Sequence, residues 1–119
     1  MKKVSIVILN FNGEKDTLEC LKSIRNLETD DFELLTIVVD NGSEKEFRVQ
    51  NSEFRMRKLK IIQNKENLGF SGGNNAGIRY ALENNADYIL ILNNDTLVDK
   101  NLVLELSKAA QSDKSIGIV

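Results

Sequence analysis

Val4-Ser5-Ile6-Val7-Ile8-Leu9-Asn10-Phe11-Asn12-Gly13 is the stretch that decides the architecture. Its first six residues form a nearly continuous apolar, β-branched run, and the next four are turn chemistry. A strand with one wet face alternates apolar and polar residues. A strand that is apolar nearly throughout is buried on both faces, as parallel strands under helices are. The pattern recurs downstream. Leu34-Leu35-Thr36-Ile37-Val38-Val39 stops at Asp40-Asn41-Gly42-Ser43, and Leu59-Lys60-Ile61-Ile62 runs into a polar stretch over residues 64–73. Tyr88-Ile89-Leu90-Ile91-Leu92 stops at Asn93-Asn94-Asp95-Thr96, and Ile116-Gly117-Ile118-Val119 reads as a fifth strand.

Helical periodicity fills the gaps. Leu18, Leu21 and Ile24 recur at spacings of three to four, predicting a helix over residues 16–27. Ala76, Tyr80 and Ala81 predict one over 73–85, and Leu102, Leu106, Ala109 and Ala110 one over 100–111. Residues 44–57 are charged and poorly periodic, and read as a short or frayed helix. The expected order is β-α-β-(α)-β-α-β-α-β, an α/β fold with a mostly parallel sheet flanked by helices. Residues 1–119 read as one domain. The chain stops inside an apolar segment without a polar cap. That reads as a cut chain, with a short edge strand at a natural end as the alternative.

Composition narrows the chemistry. The 119 residues carry sixteen Lys+Arg and eighteen Asp+Glu, a formal charge of −2. Such a chain offers no basic field for phosphate backbones, so nucleic acid is not an expected partner. No apolar run reaches the ~20 residues of a membrane helix. The seven residues after Met1-Lys2-Lys3 are too few for a signal-peptide core. The single cysteine, Cys20, excludes an intramolecular disulfide and a thiol zinc cluster, and fits a reducing, cytoplasmic setting. With no histidine, Ser-His-Asp and Cys-His nucleophile systems are excluded, and oxygen ligands and hard cations remain. Proline is absent, and asparagine occurs fourteen times. Asn suits turns and left-handed backbone; grouped at strand ends, it also suits one polar cleft.

In open parallel sheets ligands bind outside the carboxyl ends of the strands, and that is where these polar clusters fall. Generic βα loops also end in Asp, Asn or Ser as helix caps, so Asp40 and Asp95 have a structural reading beside the functional one. The segment after the third strand is more particular. Gly69, Gly72, Gly73 and Gly77 lie just before and within the start of a helix. There glycine permits close backbone approach and the helix N-terminus favours phosphate. Neither a Walker A Lys nor a dinucleotide fingerprint after the first strand is present. Asn93-Asn94-Asp95 supplies one carboxylate, enough to hold a divalent cation whose other ligands are phosphate oxygens and water.

Four motifs, in this order and spacing, resemble the nucleotide-sugar half of family 2 glycosyltransferases, in particular the rhamnosyltransferase-like subgroup. They are Val4 to Gly13 as quoted above, Val38-Val39-Asp40-Asn41-Gly42-Ser43, Asn67-Leu68-Gly69-Phe70-Ser71-Gly72-Gly73-Asn74-Asn75-Ala76-Gly77, and Leu92-Asn93-Asn94-Asp95-Thr96. The resemblance implies the Rossmann-like nucleotide-binding half of a GT-A fold and inverting transfer from a nucleoside-diphosphate sugar. It implies that Asp40 hydrogen-bonds the base, with Asn10, Phe11 and Asn12 beside it and Asn41 and Gly42 following. It puts Gly69, Phe70, Gly73, Asn74 and Asn75 near the nucleoside and diphosphate, with Asn94 on the same rim. Asn93 and Asp95 take the ends of an Asp-x-Asp motif that holds Mg²⁺ or Mn²⁺ with the nucleotide. Asn93 departs from that motif and contributes no charge. The family's acidic base and acceptor-binding elements belong to a second half, and nothing follows Val119 here. No residue is therefore assigned as base; Asp99 and Glu66 are acids without a positional argument.

The partners implied are the donor and a sugar or lipid-linked acceptor of polysaccharide or glycoconjugate synthesis. A homodimer through uncovered apolar surface is compatible. The implied location is cytoplasmic, peripheral to the membrane in a longer protein. Two other readings are weaker. A nucleotidyltransferase wants a basic Gly-rich loop after the first strand, and residues 10–15 hold one Lys and one Gly. A receiver-type interaction domain wants acids there, and the strand ends in Asn10 and Asn12.

Overall fold

The computed structural model describes residues 1–49 and 58–119. The elements run β1 (Lys2–Asn10), α1 (Glu14–Arg25), β2 (Phe32–Asn41), β3 (Leu59–Asn64), α2 (Gly69–Glu83), β4 (Tyr88–Asn93) and α3 (Leu102–Gln111). The four strands form one sheet in the order β3-β2-β1-β4. Every pairing is parallel. The fold is thus α/β, a parallel sheet flanked by helices.

Side-chain alternation divides the core in two. On one face Val4, Ile6, Ile8 and Val38 pack with Cys20, Leu21 and Ile24 of α1 and Val103 of α3. On the other, Val7, Ile37 and Val39 pack with Ala81 of α2. β1 and β2 lie inside the sheet and are buried on both faces, which is why they read as unbroken apolar runs. After β3 the order reverses: β4 returns to the far side of β1. Two strand ends therefore diverge into loops on either side of that switch, the usual place for a ligand crevice.

Three expectations are corrected. First, α2 starts at Gly69 and not at residue 73, so Gly69 and Gly72, expected before the helix, form its first turn. A Cβ on Gly73 would lie 2.4 Å from Leu9 Cδ1, and one on Gly77 2.4 Å from Val7 Cγ1. These two glycines, one turn apart, let the helix sit directly on the sheet, and that contact overrides glycine's poor helix propensity. Second, residues 44–49 are not helical. The Phe47 N–H donates to Asp40 and the Phe47 carbonyl accepts from Gln63, so its backbone groups are used across the loop. The rest of that expected helix, 50–57, lies outside the described residues. Third, residues 116–119 form no strand. The chain turns at Asp113, whose carbonyl accepts the Ile116 N–H. Its end then lines a cavity of about 380 Å³ with Tyr88, Leu90, Val103 and Leu106. A β-branched run becomes a strand only where a neighbour supplies its ladder.

Among the described residues, no helix is long and apolar enough to cross a membrane. Cys20 is fully buried. Burial, with the negative charge of Asp95 second, pushes its thiol up to about 11, well above the ordinary thiol range. The protonated thiol therefore supports the fold fully below pH ~9, and that support is lost as pH rises toward ~11, about 2–3 kcal/mol in all. In urea unfolding at pH 8 and pH 11, wild type should lose that much more stability between the two than Cys20→Ala. Equal losses would refute the buried, protonated thiol.

Candidate functional site

The strand register brings the polar ends together. Asn10 pairs with Asp40, Asn41 with Asn64, and Leu9 with Asn93. The four loops therefore open on one rim of the sheet. Neither Asp40 nor Asp95 caps a helix: the N-cap positions are Gly13, Leu68 and Asn101, none with a side-chain cap bond.

Asp40 is 2% exposed, and its carboxylate accepts three hydrogen bonds. Its Oδ1 accepts from Asn10 Nδ2 at 3.1 Å and from the Ser43 hydroxyl. Its Oδ2 accepts the Phe47 N–H at 2.7 Å. Ser43 also accepts the Asn12 N–H at 2.9 Å, and the Asn12 side-chain Oδ1 accepts the Glu44 N–H at 2.9 Å. These bonds fasten the β1 turn to the β2 turn and hold Asn12 at φ 51°, a left-handed backbone that Asn tolerates.

Asn41 does the same between β2 and α2. Its amide donates to Asn67 Oδ1 at 2.9 Å and to the Gly69 carbonyl at 3.1 Å. Its oxygen accepts from Asn64 Nδ2 and from the Leu68 N–H, both at 3.1 Å. Gly42, at φ +76°, lies so close to Glu66 and Asn67 that a Cβ would meet their backbone at 2.5 Å. No side chain fits there.

The third tie joins β1, α1 and β4. Thr17 donates its hydroxyl proton to Asn10 Oδ1 at 2.6 Å and accepts from Asn94 Nδ2 at 3.2 Å. Thr17 was missed by sequence reasoning. Its signal was a fully buried polar residue on the apolar stripe with Leu21 and Ile24.

The remaining candidates face outward or lack partners. Phe11 and Phe70 are 47% and 63% exposed. Asn75, Asn93 and Asp95 are exposed, whereas Asn94, tied to Thr17, is half-buried. Asn74 is buried beside Gly73, and neither its Nδ2 nor its Oδ1 has a hydrogen-bond partner. A buried carboxamide without partners is costly, unless a bound group completes it. Among the described residues no group of three or more His, Cys, Asp or Glu could hold a metal ion. Asn93 and Asp95 fit a hard cation only as two oxygen donors, with phosphate and water as the rest.

The glycosyl transferase family 2 model matches residues 5–119. The low-salt glycan biosynthesis hexosyltransferase Agl10 of Haloferax volcanii is 36% identical over 110 residues, 92% of this chain and 33% of that protein. Among solved structures, S. aureus TarS 1–349 shares the fold at TM-score 0.70 with 23% identity, over 90% of this chain and 31% of that one. The same protein in complex with UDP-GlcNAc superposes at TM-score 0.72 with 22% identity, over 90% and 30% of the two chains. The chain thus spans about a third of the length of these relatives. Matched almost end to end, with the strand-end motifs gathered on one rim, this chain belongs to glycosyl transferase family 2.

Proposed function

We propose that this chain binds the nucleoside-diphosphate end of a sugar donor and supplies the donor side of an inverting glycosyl transfer. The observation that carries the reading is Asn74, in the second turn of α2, whose buried carboxamide lacks partners. A ligand with donors and acceptors, such as a nucleoside diphosphate, would complete it. The UDP-GlcNAc complex of TarS and the hexosyltransferase description of Agl10 support a nucleotide-activated hexose as the donor class.

The roles follow from the chemistry of each residue. A carboxylate offers about four acceptor places. Asp40 uses three on the protein and keeps one for an N–H of the base. Exposed Phe11 and Phe70 offer apolar faces to the nucleoside or sugar, and Asn75 and the turns of α2 face the diphosphate. Asp95, with the Asn93 carbonyl, would hold Mg²⁺ or Mn²⁺. Such an ion neutralises charge on a departing diphosphate. In inverting transfer a general base takes the proton of the acceptor hydroxyl as that oxygen attacks the anomeric carbon. We assign neither that base nor the acceptor site to these residues, so the chain alone should turn over little or nothing.

Calorimetric titration with UDP, dTDP and GDP, each with and without Mn²⁺, tests the proposal. Weak binding of at least one, strengthened by Mn²⁺, is expected. Asp95 is exposed, so Asp95→Ala should fold normally and lose the Mn²⁺ effect. No binding by a folded sample overturns the reading. An unchanged Mn²⁺ effect in Asp95→Ala overturns the ligand assignment.

A further inference from the structure

The rim has two functional ends, Asp40 toward the nucleoside and Asn93-Asn94-Asp95 toward the diphosphate. They lie on β2 and β4, which are not neighbours; β1 runs between them. One side chain bridges the gap. Thr17 is 0% exposed, and its hydroxyl uses its only proton on Asn10 Oδ1, whose amide holds Asp40. The same oxygen accepts from Asn94 Nδ2. Among the described residues the Asn94 amide otherwise reaches only the Gly13 carbonyl, at 3.5 Å. Gly13 itself makes room for it: a Cβ there would sit 2.7 Å from Asn94 Nδ2.

We propose that Thr17 is a positioning residue that holds the β4 turn, and hence Asn93 and Asp95, in register with the Asn10–Asp40 pair. The inference rests on the donor-binding reading above, to which it adds a residue that touches no ligand. The two ends of the rim depend differently on this hydroxyl. Asp40 keeps Ser43 and Phe47 if it is removed. Asn94 keeps only the long contact to Gly13. Its loss should therefore weaken the diphosphate end and spare the nucleoside end.

Thr17→Val keeps the shape and removes the hydroxyl; Thr17→Ser keeps the hydroxyl. The Asn94 side-chain amide resonances, followed by ¹⁵N NMR without ligand, should move in Thr17→Val and return toward wild type in Thr17→Ser. Calorimetry with UDP, dTDP or GDP plus Mn²⁺ should show a loss on the order of tenfold in Thr17→Val. Affinity for the matching nucleoside should hold, and Thr17→Ser should recover most of the loss. Unmoved Asn94 resonances overturn the tie. Equal losses for nucleoside and nucleoside diphosphate overturn the positioning role, leaving general destabilisation. If wild type binds none of the probes, the donor reading falls with the binding part of this proposal, and the resonances alone decide whether Thr17 fixes the turn.

Discussion

Asp40→Ala should strip the chain of a large share of its stability. The substitution removes the acceptor of three donors at once: the buried Asn10 Nδ2 and Phe47 N–H, and the half-buried Ser43 hydroxyl. Each unsatisfied buried group costs ~1–3 kcal/mol, so a loss of roughly 3–6 kcal/mol is expected. A domain of this size holds only about 5–15 kcal/mol in total. Circular dichroism in a urea series measures the loss. Ser43→Ala, which removes one of the three donors, should cost ~1 kcal/mol in the same series. A midpoint shift for Asp40→Ala no larger than that of Ser43→Ala would mean that Asp40 does not organise the rim.

Gly77→Val should be comparably damaging for a steric reason. The first added carbon would lie 2.4 Å from Val7 Cγ1 and 3.0 Å from Val39 Cγ2, on the two central strands. Neither strand can retreat without disturbing the opposite core face, and α2 must lift instead. Overpacking costs ~1–3 kcal/mol per site, and a β-branched residue adds more atoms to the same place. We expect more than 3 kcal/mol for Val and about half that for Gly77→Ala, whose better helix propensity offsets ~1 kcal/mol. Gly117→Ala, where an added carbon meets nothing within 4 Å, should be neutral. Near-equal midpoints for Gly77→Val and wild type would refute the close contact of α2 with the sheet.

The strands were legible because their burial is written in composition. β1 and β2 carry apolar residues on both faces, and those strands were read to within a few residues. Their true ends, like that of β3, reach further, through Asn10, Asp40, Asn41 and, in β3, Asn64, because ladder bonds continue under polar side chains. The start of α2 was misplaced because glycine density signals a loop locally, while the contact that rewards it is with strands far away in the chain. Residues 116–119 misled for the converse reason: the strand composition is there, but the segment lines a cavity beside β4 without a ladder to it. The motif residues were legible as strand-end clusters. Their bonding was not, since Asn10 meets Asp40 thirty residues away and Thr17 meets Asn94 seventy-seven away. Such pairs depend on inter-strand register, which no local window contains.

The fastenings of the rim are carboxamides and hydroxyls, with one carboxylate among them. Amide and hydroxyl dipoles carry no net charge, so counter-ions have little to screen in them. The shape of the cleft should accordingly persist as ionic strength rises from dilute buffer to molar salt. What salt would weaken is the attraction of a charged guest to any cation held there, leaving the mould intact and its contents less firmly held.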